Sequence, residues 1–221
     1  MSAVPEVPAA YLGVWKRTLL RAPGIEDTTS RVYWLQTKNW HADIRVPAER
    51  PALAGTRDLQ SLSRDELLGL ARQQGFAGIT VIEGDICRWQ RLYDYQPPSG
   101  ANDIGRMVFE TPACLHEYGV EADYFEIWER LPGSSGPCRA IHSSAAPAML
   151  WLEAGDYCMR VRPRARPLAQ SASLAAVAED MDEAGLCELL DFEISFGQKK
   201  PGGVWQVLLS TLPWLEGSML F

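Results

Sequence analysis

The 221-residue sequence predicts an all-β fold with short helices, built as two antiparallel β-barrel units in tandem and related by internal duplication. Three observations carry that expectation. Strand-like runs recur with turn signals about every 8–12 residues. Helical patterns are too few and too short to provide the crossovers a parallel sheet needs. Short patterns also occur twice in the same order: Gly13-x-Trp15-Lys16-Arg17 returns in altered form as Glu126-Ile127-Trp128-Glu129-Arg130. Trp34-Leu35-Gln36 followed by Ile44-Arg45-Val46-Pro47 returns as Trp151-Leu152-Glu153 followed by Met159-Arg160-Val161-Arg162-Pro163. Each offset is close to half the chain. The expected division is a first unit over residues 1–123 and a second over residues 124–221, packed closely on the first.

Each element has a local reason. The Pro/Ala-rich residues 1–10 read as a loose arm, and Tyr11–Leu20 as the first strand. Pro, Gly and Asp between Ala22 and Thr29 make a turn. Arg31–Thr37 and Trp40–Val46 form a hairpin across Lys38-Asn39, ended by Pro47 and Pro51. Ser63-Arg64-Asp65-Glu66 is a capping box opening a short helix that stops by Gly75. Ile79–Ile82 and Ile86–Tyr95 form a hairpin turning at Glu83-Gly84-Asp85. Met107–Glu110, Leu115–Tyr118 and Tyr124–Arg130 follow as strands, the last of them expected to open the second unit. Leu131–Pro137 has the composition of a boundary. Beyond it come strands at Met149–Glu153 and Tyr157–Arg162, a helix at Ser173–Glu183, and strands at Glu188–Phe196 and Val204–Leu209.

The net charge of −7 and the lack of a lysine/arginine cluster exclude a nucleic-acid-binding footprint. Arg160, Arg162, Arg164 and Arg166 share one face of an extended segment and read as a charged strand edge. The five cysteines are widely spaced and odd in number, which fits reduced thiols and a cytoplasmic location. No leader pattern and no membrane-spanning apolar run is present. Hydrolase, metalloprotease and nucleotide-loop motifs are missing. The three histidines lack ligand spacing, so neither a metal nor a cofactor is expected.

Tyr11-Leu12-Gly13-Val14-Trp15-Lys16-Arg17 resembles the Gly-x-Trp opening of lipocalin-type barrels. That resemblance implies a Trp across the closed end of the barrel and a late Arg stacked on it. A wider set of residues resembles the HRI1-like family. It comprises Trp34-Leu35-Gln36, Ala42-Asp43-Ile44-Arg45-Val46-Pro47, Trp89-x-Arg91-x-x-Asp94-Tyr95-Gln96-Pro97, Asp103-Ile104-Gly105-Arg106-Met107 and Tyr124-x-Glu126-x-Trp128. The resemblance covers nearly the whole chain. It implies two related lipocalin-like halves and no defined chemistry.

Strand alternation supplies the candidate site. His41, Asp43 and Arg45 share one face of their strand, with Ala42, Ile44 and Val46 behind. Cys87, Trp89, Arg91, Tyr93 and Tyr95 share a second face, and Tyr124, Glu126, Trp128 and Arg130 a third. If these faces line a barrel, Arg45 and Arg91 hold the carboxylate of a small acidic or hydrophobic, amphipathic ligand. Trp34, Trp89 and Trp128, with His41, Tyr93 and Tyr124, form the walls. Asp43 and Glu126 orient the arginines or, in a cofactor-independent lyase or isomerase, move protons. An interaction module without a pocket is the third reading, with Trp214, Leu215, Met219, Leu220 and Phe221 as its apolar patch. A homodimer is compatible with all three.

Overall fold

A computed structural model describes residues 5–51, 53, 55–145 and 148–220. Nine strands form the first sheet: β1 (Gly13–Ala22), β2 (Ile25–Asp27), β3 (Arg31–Gln36), β4 (Trp40–Val46), β5 (Gln74–Glu83), β6 (Ile86–Asp94), β7 (Ile104–Thr111), β8 (Cys114–Gly119) and β9 (Phe125–Arg130). All neighbours are antiparallel. β1 pairs with both β3 and β9, so eight strands close into an up-and-down barrel and β2 hangs on β1 as a short flap. The barrel of the expected fold class is therefore present. Phe125–Arg130, which the repeat assigns to a second unit, instead supplies the closing strand of the first barrel, with Trp128 opposite Arg17 and Leu115. The sequence match between Trp15 and Trp128 joins neighbouring strands of one barrel.

The second sheet contains β10 (Cys138–Ser143), β11 (Met149–Ala154), β12 (Tyr157–Arg162), β13 (Glu193–Lys199), β14 (Trp205–Ser210) and β15 (Met219–Leu220), in chain order. No pairing closes it among the described residues. Helix α1 (Arg64–Leu70) lies between β4 and β5, and α2 (Leu174–Ala178) and α3 (Glu183–Leu190) lie between β12 and β13. Both sheets thus run hairpin, helix, hairpin. Ser63 and Glu66 complete the expected capping box. The single helix expected at Ser173–Glu183 is two, because Asp182 accepts from the Gly185 amide and starts α3. That helix also takes the first residues of the strand expected at Glu188–Phe196. β10 escaped the sequence reading: its exposed Arg139, Ala140, Ile141 and His142 show no alternation.

Alternation along β3 and β4 decides how the halves meet. Leu35, Ala42, Ile44 and Val46 point out of the barrel and are buried against Leu150, Leu152, Met159 and Ile194 of the second sheet. Tyr33 stacks on Phe196 at 4.5 Å between ring centres. Polar cross-links add to this: Arg50 donates to the Ser210 carbonyl and to Glu216 (both 2.8 Å), and Gln73 to the Thr211 carbonyl (3.0 Å). Of the expected loose arm, residues 1–4 lie outside the described residues, and the part from Val7 on is anchored. Val7 and Tyr11 are buried in the barrel's own core beside Trp15, and the Val7 amide donates to the Lys38 carbonyl.

The arginines of β12 are not a strand edge, since β12 lies between β11 and β13. Arg160 pairs with Glu193, Arg162 with Asp191, and Arg164 donates to the Asp94 and Tyr95 carbonyls across the two halves. Of the C-terminal apolar residues, Leu220 is buried opposite Trp205, Trp214 and Leu215 are half-buried, and Met219 is exposed. Phe221 lies outside the described residues. All five cysteines are free.

Candidate functional site at the open end of the barrel

The barrel interior is layered. Its closed end is aromatic. Gly13, at φ +126° in a region that favours glycine, turns the chain into β1, and a Cβ there would sit 3.0 Å from the Ser134 hydroxyl. Two residues on, Trp15 is fully buried and donates its indole N–H to the Tyr11 carbonyl (2.9 Å). The Arg130 guanidinium lies over the Trp15 ring at 4.4 Å and donates to the Leu12 carbonyl (2.7 Å) and to the Ala10 carbonyl. The late arginine that the lipocalin resemblance implies is therefore Arg130, on the last strand of the same barrel. Trp34 stacks beside Trp15 at 6.3 Å and meets Trp89 and Trp128 edge-on.

Above these rings lies a charged layer. Arg17 bridges Glu126 (2.7 Å) and Asp27 (2.6 Å). Arg45 bridges Asp43 (2.8 Å) and Glu126 (3.6 Å). Arg91 bridges Asp94 (3.0 Å) and Asp103 (2.7 Å), with its guanidinium 3.6 Å from the centre of the Phe76 ring. Asp43, Glu117 and Glu126 are almost completely buried, whereas the Arg45 and Arg91 side chains are 24% and 36% exposed at the mouth.

Glu117 differs from the other carboxyls of this layer: none of its hydrogen bonds comes from a cation. Its oxygens accept from the Tyr124 hydroxyl (2.6 Å) and the Trp128 indole (3.0 Å), and Glu126 is its direct cross-strand neighbour. Burial, and then the Glu126 carboxylate, raise its pKa to about 8. The same surroundings push the Tyr124 phenol above its ordinary range, by burial first and Glu117 second.

His41 sits deeper. Gln36 Oε1 accepts from the Trp34 indole (3.2 Å) and from the Thr80 hydroxyl (2.7 Å). Thr80 has then spent its proton, so His41 Nδ1 donates to it (3.0 Å) and Nε2 is the bare acceptor. Nε2 has no hydrogen-bond partner among the described residues, and neither has Glu126 Oε2. Burial, with Arg91 second, pulls the His41 pKa down to about 3.

Most of the expected site residues meet here: Trp34, His41, Asp43, Arg45, Trp89, Arg91, Glu126 and Trp128 face the interior, with Tyr124 at the rim. Tyr93 does not. Between Ala77 and Gly78 the β5–β6 register slips, so Gly78 opposes Arg91 and Ala77 opposes Tyr93. The extra residue, Leu92, turns Tyr93 to the outer face, where its hydroxyl meets His142 Nε2 of β10 at 2.6 Å. Tyr95 is likewise outside, donating to the Leu70 carbonyl. Arg17, Phe76, Asp103 and Glu117 were missed. Arg17 shares a strand face with Trp15, and Glu117 with Leu115, so alternation alone could have found them.

The void inside this layer, lined by Trp34, Asp43, Arg45, Phe76, Glu117 and Trp128 among others, has a volume of about 10 Å³. That is room for roughly one water. No helix among the described residues is long and apolar enough to cross a membrane, and no cluster of three or more His, Cys, Asp or Glu there could hold a metal ion.

No family model matches the chain, and no curated protein is similar to it. Among solved structures, the chain is similar to the uncharacterized protein YLR301w of Saccharomyces cerevisiae. The TM-score is 0.53 at 13% identity, over 90% of this chain and 84% of that one. It is also similar to a lipocalin-like protein from Bacteroides uniformis ATCC 8492, with a TM-score of 0.37 at 12% identity over 55% of this chain and 99% of that one. The yeast likeness is one of fold and spans both halves.

Proposed function

We propose that the protein binds a small molecule at the open end of its barrel, with Arg45 and Arg91 at the mouth and Trp34, Trp89 and Trp128 beneath. A lipocalin-like barrel is compatible with ligand binding. The supporting observation is the charged layer itself. Six carboxyl groups and three guanidinium groups meet inside one barrel mouth, and such groups are costly to remove from water when only packing is required. Two buried polar atoms there, His41 Nε2 and Glu126 Oε2, have no hydrogen-bond partner among the described residues.

The same count revises the ligand's polarity. Each arginine already bridges two carboxylates, so an acidic ligand would compete with the protein's own acids. A small ligand that donates hydrogen bonds fits better. It would displace the Arg91 side chain from Phe76 and meet Asp43, Glu117 and Glu126. In the catalytic reading, Asp43 and Glu126 would have to leave Arg45 before taking a proton, whereas Glu117 is free of arginine and becomes the better acid–base group. The interaction-module reading is favoured by one observation, the water-sized void. Native mass spectrometry of the full chain separates the readings. A bound small molecule is expected in the wild type and lost in Asp43→Asn and Glu117→Gln, the acceptors it would meet, without loss of the folded charge-state pattern. A wild type free of any adduct, or an adduct unaffected by both substitutions, favours the filled-barrel module.

A further inference from the structure

A second cavity lies outside the barrel, where the second sheet meets the first unit. It is a cleft of about 730 Å³, within the range of small-molecule sites. Its floor is apolar: Leu59, Leu62, Leu67 and Leu212 are buried there, and Trp214 and Leu215 stand half-exposed at one wall. β12 contributes Arg160 and Arg162, and β13 contributes Glu193. Asp58, Gln60, Glu183, Glu188 and Asp191 complete the polar lining.

The position of the cleft has a parallel in the barrel. Trp34 donates its indole N–H to Gln36 (3.2 Å), and Trp151 donates to Glu153 (2.6 Å) in the repeated Trp-Leu-Gln/Glu pattern. Arg45 lies near the end of β4 and pairs with an acid. Arg160 lies near the end of β12 and pairs with Glu193 (2.7 Å). The cleft therefore occupies the sheet face and strand end where the barrel carries its charged layer. In the barrel three indoles and closing strands fill that space. In the second sheet, which no pairing closes, the space is open.

Charge decides the occupant. Both arginines of the cleft are neutralised by its own acids, Arg160 by Glu193 and Arg162 by Asp191 (2.7 Å each). Asp58, Glu183 and Glu188 are left without a basic partner among the described residues, beside a leucine floor and an accessible indole. We propose that this cleft binds an amphipathic organic cation, an amine or quaternary ammonium with an apolar tail. The tail lies on Leu59, Leu62, Leu67 and Leu212. The cationic head meets the rim carboxylates and the Trp214 ring. An amphipathic acid of the same size is repelled by the rim, and a neutral one gains nothing from it.

Calorimetric titration of the full chain with octyltrimethylammonium, octanoate and octyl glucoside, each below its micellar concentration, tests the proposal. The cation is expected to bind about tenfold or more tightly than octanoate, and to weaken in high salt. Glu183 and Glu188 are exposed, so the Glu183→Gln/Glu188→Gln double variant should keep the wild-type melting temperature and bind the cation roughly fivefold more weakly. Arg91→Ala, at the barrel mouth, should leave cation binding unchanged. Equal or tighter octanoate binding overturns the proposal, as does a double variant with wild-type affinity, loss of the cation in Arg91→Ala, or no binding of the cation.

Discussion

In the barrel, Trp34 donates its indole N–H to the side-chain oxygen of Gln36 two residues along. In the second sheet, Trp151 does the same to Glu153. Each pair opens a hairpin, each hairpin is followed by helix, and each returns through a second hairpin. From that shared beginning the halves diverge. Three more strands carry the first sheet round until β9 meets β1. The second adds only the short β15, made of its own C-terminal residues, after β14. Closure removes sheet edges, but it also encloses a space that must be filled. The barrel fills it with indoles below and a salt-bridge layer above, down to about 10 Å³. The open sheet leaves an edge at β10 and a cleft of about 730 Å³. Enclosure sets the character of each interior more than composition does, since both contain Trp, Arg and Glu.

The largest test of this contrast is a truncation. Residues 1–123 lack β9, and with it Glu126, Trp128 and Arg130, so the fragment should show no cooperative thermal unfolding. A stable monomeric fragment would mean that closure is not what holds the first half together. We propose that the boundary between two related units falls in residues 131–137, after the closing strand.

Next in size is a pair of matched substitutions. The Arg17 side chain is 5% exposed and bridges two carboxylates, so Arg17→Ala leaves buried Glu126 only its longer contact to Arg45 (3.6 Å) and should cost about 3–5 kcal/mol. The Arg160 side chain is 26% exposed in the open half, and its buried partner Glu193 keeps the Ser195 hydroxyl (2.6 Å) and a longer contact to Arg162 (3.9 Å), so Arg160→Ala should cost less, about 1–2 kcal/mol. Urea denaturation of both variants gives the difference; equal losses would erase the distinction between enclosed and open charge.

The smallest effect is read from pH. Folded Glu117 keeps a proton up to about pH 8, whereas the unfolded chain releases it near 4.5. Its contribution is complete below 4.5 and is lost as pH rises through 8. His41 works the other way: its pKa falls from 6.5 to about 3 on folding, so its contribution is complete above 6.5 and lost as pH drops. The two oppose each other between 4.5 and 6.5, leaving the limb above 6.5 to Glu117. Stability should fall by about 2 kcal/mol from pH 6.5 to 8, and Glu117→Gln should flatten that limb. A variant as steep as the wild type would place the titrating group elsewhere.

Much of this arrangement was legible in the sequence, because a strand with one buried polar face and one apolar face can face only two ways. His41, Asp43 and Arg45 turned inward, and Ala42, Ile44 and Val46 outward, as alternation requires. Alternation fails where the register slips, and Leu92 moved Tyr93 out of the site for that reason. It is also silent on pairing. Trp128 and Arg130 carry the same letters whether they open a second unit or close the first, and only the β1–β9 ladder distinguishes the two. The volume left between side chains is a property of three-dimensional packing, so neither the fullness of the barrel nor the emptiness of the cleft had a sequence signal.

The ladder between β1 and β9 has a consequence for how the chain comes into being. Arg17 and Glu126 are 109 residues apart in sequence. On the ribosome, β1 emerges early and acquires β3 as a neighbour, yet its other side stays bare until most of the barrel has been synthesised. Contacts so far apart in sequence are slow to form, because a long loop must be ordered before any contact rewards it. The buried cation of Arg17 has one of its two carboxylates within ten residues, on β2. The small flap that looks like an ornament on the finished barrel thus gives that charge a local partner throughout the interval before Glu126 arrives.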